Sequence, residues 1–180
     1  MKLIILDRDG VINEDSPDFI KSTQEWRPLP GSLEAIARLC HAGWRVVVAT
    51  NQSGIGRGLF DFGALFAMHD KMSRMLAEVG GRIDGVFFCP HTPEDNCRCR
   101  KPKTGLYEDI ARRFQIDLAN VPAVGDSIRD IRSAQDAGAM PILVKTGNGA
   151  ETLREYAGQL AGVAVHDNLG SVAAALLAAK

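Results

Sequence analysis

The sequence has little of several features that would place it in a specialised class of protein. Its 180 residues carry 21 Lys and Arg against 22 Asp and Glu, a net charge of −1. It therefore lacks the basic excess that a general nucleic-acid-binding surface requires. Its longest apolar run, residues 172–179, is far shorter than the roughly 20 residues that cross a bilayer. We expect neither nucleic acid nor a membrane as partner.

Cysteine is also scarce, with four residues at Cys40, Cys89, Cys97 and Cys99. This density is too low for a scaffold held together by disulfides. The apolar stretch at the start of the sequence stops at Asp7, too early for an export signal. We therefore expect a cytoplasmic, reducing location, in which the cysteines pack in the core or bind metal.

The apolar residues that are present alternate between short β-rich runs and longer helical patterns. Hydrophobic residues make up 46% of the sequence, and the length favours one domain over residues 1–180. The alternation predicts an α/β fold, a doubly wound parallel sheet with helices on both faces. Strands are predicted at 2–6, 44–49, 85–89, 122–124 and 141–144, with a weaker one at 162–165, and helices at 32–41, 62–79, 105–114, 129–137 and 171–180.

Three irregular segments interrupt this alternation, at residues 13–30, 54–60 and 90–104. Irregular stretches of this length in a compact domain usually have a function. All three follow predicted strands, so we expect them over the carboxyl edge of the sheet, where open α/β sheets bind ligands.

An acidic pair, Asp7 and Asp9, follows the first predicted strand, and Gly10 allows a sharp turn after it. Two carboxylates at one strand end can divide the work of catalysis. One can attack the substrate while the other exchanges a proton with the leaving oxygen. The alternative is a solvated Asp-Gly turn.

A polar run of Thr50, Asn51, Gln52 and Ser53 follows the second predicted strand. Its hydroxyl, amide and backbone N–H groups are suited to binding an oxyanion. Taken alone, the run is more typical of an ordinary polar loop.

Basic residues precede the helix predicted at 105–114, at Arg100, Lys101 and Lys103. Cations packed in this way can neutralise a phosphoryl group, although a solvated basic loop has the same composition.

After the fourth predicted strand, Asp126 can join Asp7 on one divalent cation, since Mg²⁺ takes few carboxylates and completes its shell with water and substrate oxygens. The alternative is helix capping by Asp126 or Ser127, with Asp130 on the surface.

The four motifs in this order resemble the haloacid dehalogenase superfamily of phosphohydrolases, over residues 2 to about 144. The resemblance implies that Asp7 is a nucleophile that attacks phosphorus. Asp9 would protonate the leaving oxygen and then activate water. Thr50 and Lys101 would bind the phosphoryl oxygens, and we prefer Lys101 to Lys103 because the lysine of the family commonly precedes a proline.

The same resemblance implies a catalytic Mg²⁺. The carboxylates of Asp7 and Asp126 and the backbone carbonyl of Asp9 would hold it. Asp130 would orient Lys101 or a water bound to the metal.

A separate pattern, Cys89, His91, Cys97 and Cys99, can close a tetrahedral Zn²⁺ site with no open position. Such a site is structural and would fix the loop that carries Arg100 and Lys101. The alternative has Cys89 in the core and the rest in a reactive loop. We expect Cys40, on a predicted helix, to pack in the core.

Together with this cysteine loop, the motifs resemble the histidinol-phosphatase-like subfamily, which has no large cap domain. The resemblance implies removal of the C7 phosphate from D-glycero-D-manno-heptose 1,7-bisphosphate, in heptose synthesis for lipopolysaccharide or a related polysaccharide. Histidinol phosphate is the alternative substrate. Candidate contacts to this small phosphorylated sugar are Arg100, Asn51, Gln52, Ser53, Asp15, Asp18 and Arg57.

Two non-enzymatic interpretations remain, a phospho-receiver domain and a zinc-binding interaction module. A receiver domain carries its acceptor after a later strand and would accumulate a stable aspartyl-phosphate. Multiple turnover in a phosphate-release assay distinguishes an enzyme from both. We expect the protein to be a monomer.

Overall fold

A computed structural model describes residues 1–179 of the chain. All six strands in this range are parallel and form one sheet with the order β3-β2-β1-β4-β5-β6. The predicted doubly wound α/β fold is confirmed. The strands are β1 (Lys2–Leu6), β2 (Trp44–Asn51), β3 (Gly85–Cys89), β4 (Pro122–Gly125), β5 (Met140–Val144) and β6 (Ala164–His166).

Helices connect these strands and cover both faces of the sheet. They are α1 (Ser32–His41), α2 (Phe62–Glu78), α3 (Gly105–Phe114), α4 (Ile128–Asp136), α5 (Gly149–Glu155) and α6 (Leu169–Ala178), with two short 3-10 helices at Pro93–Asp95 and Ala157–Gln159.

The central strand β1 shows how one segment serves two cores. Ile4 and Leu6 point to one face, with α1, α2 and α6, whereas Leu3 and Ile5 point to the other, with α3. This follows from the period of two in a strand, and all four side chains are buried. A strand covered on both faces is apolar throughout rather than alternating, which is why the run was recognisable in the sequence.

Most predicted elements lie within two residues of the observed ones, and the differences are local. Strand β2 continues to Asn51 and β6 lies at Ala164–His166 rather than 162–165. Helix α5 was not predicted, because its seven residues are too few to show a helical period. Helix α6 begins at Leu169, capped by Asn168, and ends at Ala178, so the prediction of helix at residue 179 is wrong. Residue 180 of the predicted helix lies outside the described part of the chain.

The chain crosses from β1 to β2 on one side and reaches β4 on the other, so the direction of winding reverses between β1 and β4. Such a reversal opens a crevice at the carboxyl ends of the strands, the usual ligand site of open α/β sheets. Of the helices in residues 1–179, none is long and apolar enough to span a membrane.

Candidate active site

A cavity of about 300 Å³ lies at this crevice. Loops that follow β1, β2, β3 and β4 form its walls, and in residues 1–179 no second domain covers it. The cavity brings together most of the predicted site residues: Asp7, Asp9, Asp15, Thr50, Asn51, Gln52, Ser53, Arg57, Arg100, Lys101, Asp126 and Asp130.

Lys101 is the cation at the centre of this site. Its Nζ lies 2.6 Å from a carboxylate oxygen of Asp130 and 3.1 Å from Oδ1 of Asp7, and it donates to the carbonyl of Ala49 at 2.7 Å. The side chain is only 3% exposed. Burial alone would lower the pKa of Lys101, but the charges of Asp130 and Asp7 raise it above its ordinary value. Lys101 is therefore a permanent positive charge beside Asp7.

Asn51 contacts the backbone of Lys101 through two hydrogen bonds. Its side-chain amide donates to the carbonyl of Lys101 at 3.1 Å and accepts from the backbone N–H of Lys101 at 3.0 Å. Lys103, the rival lysine, instead donates to the carbonyls of Asn96 and Cys97 at 3.1 and 2.8 Å. The structure thus places Lys101, and not Lys103, among the carboxylates.

Asp130 combines two roles, in capping helix α4 and in pairing with Lys101. It accepts from the backbone N–H and hydroxyl of Ser127 at 3.0 and 2.7 Å, which caps α4, and it also pairs with Lys101. It is buried rather than on the surface. Burial would raise the pKa of Asp130, but Lys101 and the bonds from Ser127 hold that pKa below its ordinary value.

Within residues 1–179, both carboxylate oxygens of Asp130 have donors, whereas donors reach only one oxygen of Asp7 and one of Asp126. Burial, partly offset by the charge of Lys101, raises the pKa of Asp7 to about 7. Burial and the neighbouring charges of Asp130 and Asp7 raise the pKa of Asp126 to about 8. A cation bound beside carboxyl groups with raised pKa values stabilises their ionised form.

The donor set at this point fits a divalent cation. One carboxylate oxygen from each of Asp7, Asp126 and Asp130 lies within 4.8 Å of the others. Oxygen donors with raised pKa values suit Mg²⁺, which binds through few carboxylates. The predicted pair Asp7 and Asp126 is thus brought together. The Asp9 carboxylate faces other partners, which leaves only its backbone carbonyl for the predicted metal contact.

Asp9 is fixed by donors that the sequence interpretation had not assigned. Its Oδ1 accepts from Arg8 Nε at 3.0 Å and Asn13 Nδ2 at 2.8 Å. Its Oδ2 accepts from Arg8 Nη2 at 3.1 Å and Gln52 Nε2 at 2.8 Å. Gln52 also donates to Thr50 Oγ1 at 3.0 Å. Gln52, a predicted substrate contact, therefore uses both amide hydrogens within the protein.

Asn148 is a further residue that sequence analysis missed. Its backbone N–H and side-chain amide donate to Asp126 Oδ2 at 2.8 and 3.1 Å, and the amide also reaches Asp15 Oδ2 at 2.7 Å. It lies in a short glycine-rich turn after β5. A polar turn at that strand end was the one signal available, since β5 ends at the same edge of the sheet as β1 and β4.

The outer wall of the cavity is basic, with Arg57, Arg100 and Arg129. Among residues 1–179, no carboxylate forms an ion pair with any of the three. Burial and the charge of Arg129 lower the pKa of Arg100, which shows how close the guanidinium groups are. Asp18, in contrast, is exposed and lies outside the lining of this cavity, in a separate hollow.

The cysteine loop lies next to this basic wall. Cys97 Sγ is 3.5 Å from the Sγ atoms of both Cys89 and Cys99. His91 Nδ1 is 3.6 Å from Cys89 Sγ and 3.4 Å from Cys99 Sγ. A metal ion bound tetrahedrally at about 2.3 Å from sulfur has edges of roughly 3.8 Å between sulfurs, so the four donors fit one ion. Cys40 is buried in the core as expected.

Comparison with known proteins places this site in a family. A family model described as HAD-hydrolase-like matches residues 98–172. Relatives that are similar over nearly the whole chain support the same assignment. The chain belongs to the family of HAD-like hydrolases.

Within the family, its relatives include D-glycero-beta-D-manno-heptose-1,7-bisphosphate 7-phosphatases. That of Bordetella bronchiseptica is 60% identical over 177 residues, covering 98% of each chain. That of Pseudomonas aeruginosa is 50% identical, covering 97% of each. The crystal structure of D,D-heptose 1,7-bisphosphate phosphatase from B. bronchiseptica, complexed with magnesium and phosphate, has a TM-score of 0.98 at 59% identity and covers 100% of both chains.

Proposed function

We propose that this protein removes the C7 phosphate of D-glycero-beta-D-manno-heptose 1,7-bisphosphate, through an aspartyl-phosphate on Asp7. The observation that carries the proposal is the position of Lys101 between Asp7 and Asp130, beside Asp126 at the floor of the cavity. The 60% identity to a phosphatase of that name supports the choice of substrate. The reaction would supply heptose for lipopolysaccharide or a related surface polysaccharide.

The first step forms a bond from a carboxylate oxygen of Asp7 to phosphorus and breaks the bond between phosphorus and the C7 oxygen. Asp9 gives a proton to that leaving oxygen. Lys101 and Thr50 bind the phosphoryl oxygens as the group moves, since phosphoryl transfer depends mainly on positioning and charge neutralisation. Mg²⁺, held by Asp7, Asp126 and the Asp9 carbonyl, would supply further neutralisation of phosphate charge.

In the second step Asp9 takes a proton from water, and the water oxygen attacks phosphorus. The bond between Asp7 and phosphorus breaks, which releases inorganic phosphate and restores the Asp7 carboxylate and the protonated form of Asp9. One group acts as acid and then as base, so Asp9 must stay close to the same oxygen position throughout.

The basic wall favours a bisphosphate over histidinol phosphate. Within residues 1–179, Arg57, Arg100 and Arg129 form no ion pair with a carboxylate, and guanidinium groups are well suited to phosphate. A second phosphate on the substrate would interact favourably with the positive charges of this basic wall. Histidinol phosphate carries an ammonium group at its other end, which the same charges would repel.

The cysteine loop supports zinc as its metal. Three sulfurs and one imidazole nitrogen at tetrahedral spacing are typical of a closed structural Zn²⁺ site. Zinc there would order a loop whose few regular residues are those of the 3-10 helix Pro93–Asp95. Arg100 and Lys101 follow the last ligand directly, so the ion would place them.

A phosphate-release assay with both substrates in parallel tests the proposal. We expect multiple turnovers on heptose bisphosphate, a slower rate on histidinol phosphate, and near-complete loss of both in Asp7→Asn. Preference for histidinol phosphate would reject the substrate, and ordinary activity in Asp7→Asn would reject the covalent mechanism.

A further inference from the structure

Arg8 is a fully buried charge that the mechanism above does not use. It lies between Asp7 and Asp9 in the chain, and its side chain is 0% exposed. A buried guanidinium is costly unless it is paired and its donors are satisfied. The hydrogen-bond partners of Arg8 therefore indicate its role.

Arg8 makes a bidentate contact with Asp9 through two parallel hydrogen bonds. Nε donates to Oδ1 at 3.0 Å and Nη2 to Oδ2 at 3.1 Å. A two-point contact between planar groups fixes the orientation of both planes, which a single bond does not. The Asp9 carboxylate can then rotate only if Arg8 moves.

Arg8 is itself held by two elements distant in sequence. Its Nη2 donates to Gln52 Oε1 at 3.1 Å, at the end of β2. Its Nη1 lies 3.4 Å from Nε2 of His69, on α2. The chain of contacts thus runs from helix α2 to a carboxylate of the active site.

His69 is suited to accept from Arg8. Burial, followed by the charge of Arg8, lowers the pKa of His69 to about 4. The ring is neutral at pH 7, and a neutral imidazole can accept through one nitrogen. The His69 ring lies outside the cavity lining, so it acts through Arg8 rather than on a ligand.

We propose that His69 and Arg8 are positioning residues for Asp9, with His69 aligning Arg8 and Arg8 aligning the carboxylate that protonates the leaving oxygen. This inference rests on the proposed phosphatase function. It deepens that function by linking α2 to the proton-transfer step.

The two substrate types of a phosphatase separate a positioning role from a structural one. A sugar alkoxide needs a proton to leave, whereas the nitrophenolate of p-nitrophenyl phosphate leaves without one. Misalignment of Asp9 should therefore lower kcat/KM for a sugar phosphate and spare the aryl phosphate. General damage to the site would lower both equally.

The test uses His69→Phe, which keeps a planar ring and removes the acceptor. We expect kcat/KM on heptose bisphosphate to fall about ten-fold or more, with that on p-nitrophenyl phosphate within about two-fold. His69→Gln, which restores an acceptor, should recover most of the loss. His41→Phe, the same change at an exposed position of α1, should behave as wild type.

Arg8→Lys keeps the charge but cannot make the two-point contact, so the same selective loss is expected and should be larger. The inference would be overturned if kcat/KM fell equally on both substrates in His69→Phe and Arg8→Lys. It would also be overturned if kcat/KM fell in neither variant. If wild type is inactive on heptose bisphosphate but active on other sugar phosphates, the substrate proposal fails. The comparison of sugar and aryl phosphates then still tests His69 and Arg8.

Discussion

A buried lysine is stable only where opposite charges surround it, and Lys101 meets that condition through Asp7 and Asp130. Oδ1 of Asp7 receives both the Nζ of Lys101, at 3.1 Å, and the backbone N–H of Arg8, at 2.7 Å. Lys101 thus offsets part of the charge repulsion between Asp7 and Asp130 and lies beside the proposed nucleophile.

Arg100 offers a test of substrate recognition at the scale of one residue. Its guanidinium lies in the basic wall, and its loss removes a charge-assisted contact worth roughly 1.5–3 kcal/mol. Arg100→Ala should lower kcat/KM on heptose bisphosphate by about one to two decades, and much less on an aryl phosphate, which has no second anion.

Arg98 provides the control on the same loop. It is exposed and pairs with Glu108 and Asp109, so Arg98→Ala should leave kcat/KM unchanged on both substrates. Equal losses on both substrates in Arg100→Ala would mean that Arg100 contacts the transferring phosphoryl group instead.

Gly10 is the residue whose missing side chain the site depends on. It has a φ of +81°, and a Cβ there would overlap the carboxylate of Asp126 and approach Gly147. Gly10→Ala should therefore displace Asp126, weaken Mg²⁺ binding and lower kcat sharply. Titration of activity with Mg²⁺ measures both effects.

Gly138→Ala separates this overlap from backbone strain. Gly138 has a φ of +77° with open space around its Cβ position, so only the left-handed backbone is penalised, at about 1–2 kcal/mol. It should lower stability while leaving kcat unchanged. Normal Mg²⁺ dependence in Gly10→Ala would contradict the close packing of Gly10 on Asp126.

At the scale of elements, the predictable features were those with a local cause. Strand β1 is apolar because it is buried on both faces, and the Ser127 cap with Asp130 three residues later marks the start of α4. The acidic pair could be assigned to the sheet edge because it directly follows a strand. Each of these depends on neighbouring residues only.

The features that escaped sequence analysis have distant causes. Arg8 stands between two acids, a pattern typical of a solvated turn, and only the fold buries it against Gln52 and His69. Asn148 is 133 residues from Asp15. Such contacts depend on how loops meet at the sheet edge, which local periodicity does not encode.

The cysteine loop is the element whose order we expect to depend on metal. We expect wild-type protein to contain about one zinc ion per chain and Cys99→Ser to contain less. The segment that carries Arg100 and Lys101 should then become less ordered. We expect kcat to fall while the far-ultraviolet circular dichroism of the sheet and helices persists. Cys97 and Cys99 pack against one core cluster but are only partly buried, and a structural zinc mainly stabilises the segment that contains its ligands.

Cys40→Ser is the matched control, because Cys40 is buried in the core and away from the cluster. It should retain zinc and kcat, with at most a modest loss of thermal stability. Full activity in zinc-free Cys99→Ser protein would show that Arg100 and Lys101 are placed by other contacts, such as those of Asn51.

At the scale of the whole molecule, the acidic cluster couples stability to pH and to magnesium. The ordinary pKa of an aspartate is 3.8, whereas that of Asp7 is about 7 and that of Asp126 about 8 in the folded protein. Between these values the folded state binds more protons than the unfolded state. The free energy of unfolding of the metal-free protein therefore falls as pH rises.

His69 has the opposite effect, but at lower pH. Its folded pKa of about 4 lies below the ordinary 6.5, so its contribution to stability increases with pH and is complete above about pH 6.5. Cys97 acts in the same direction as His69, because its pKa, which burial would raise, is lowered to about 7 by hydrogen bonds with the backbone of Arg100 and with Cys99. The window from about pH 6.5 to pH 8.5 thus excludes His69, and comparison of wild type with Asp126→Asn across this window separates the carboxyl groups from Cys97. Within it the free energy of unfolding should fall by at most about 1.4 kcal/mol per pH unit for each proton involved.

Magnesium should reverse this trend, because it binds the ionised carboxylates of the folded state and competes with their protons. Thermal melts of protein freed of Mg²⁺ by dialysis, which avoids stripping the cysteine site with a chelator, should show Tm falling across this window. Excess Mg²⁺ should raise Tm more at pH 8.5 than at pH 6.5. Asp126→Asn, which removes one of the two titrating groups, should show a flatter profile and a smaller Mg²⁺ effect. Equal pH profiles of Tm in metal-free wild type and Asp126→Asn would mean that these carboxyl groups are ionised before Mg²⁺ binds.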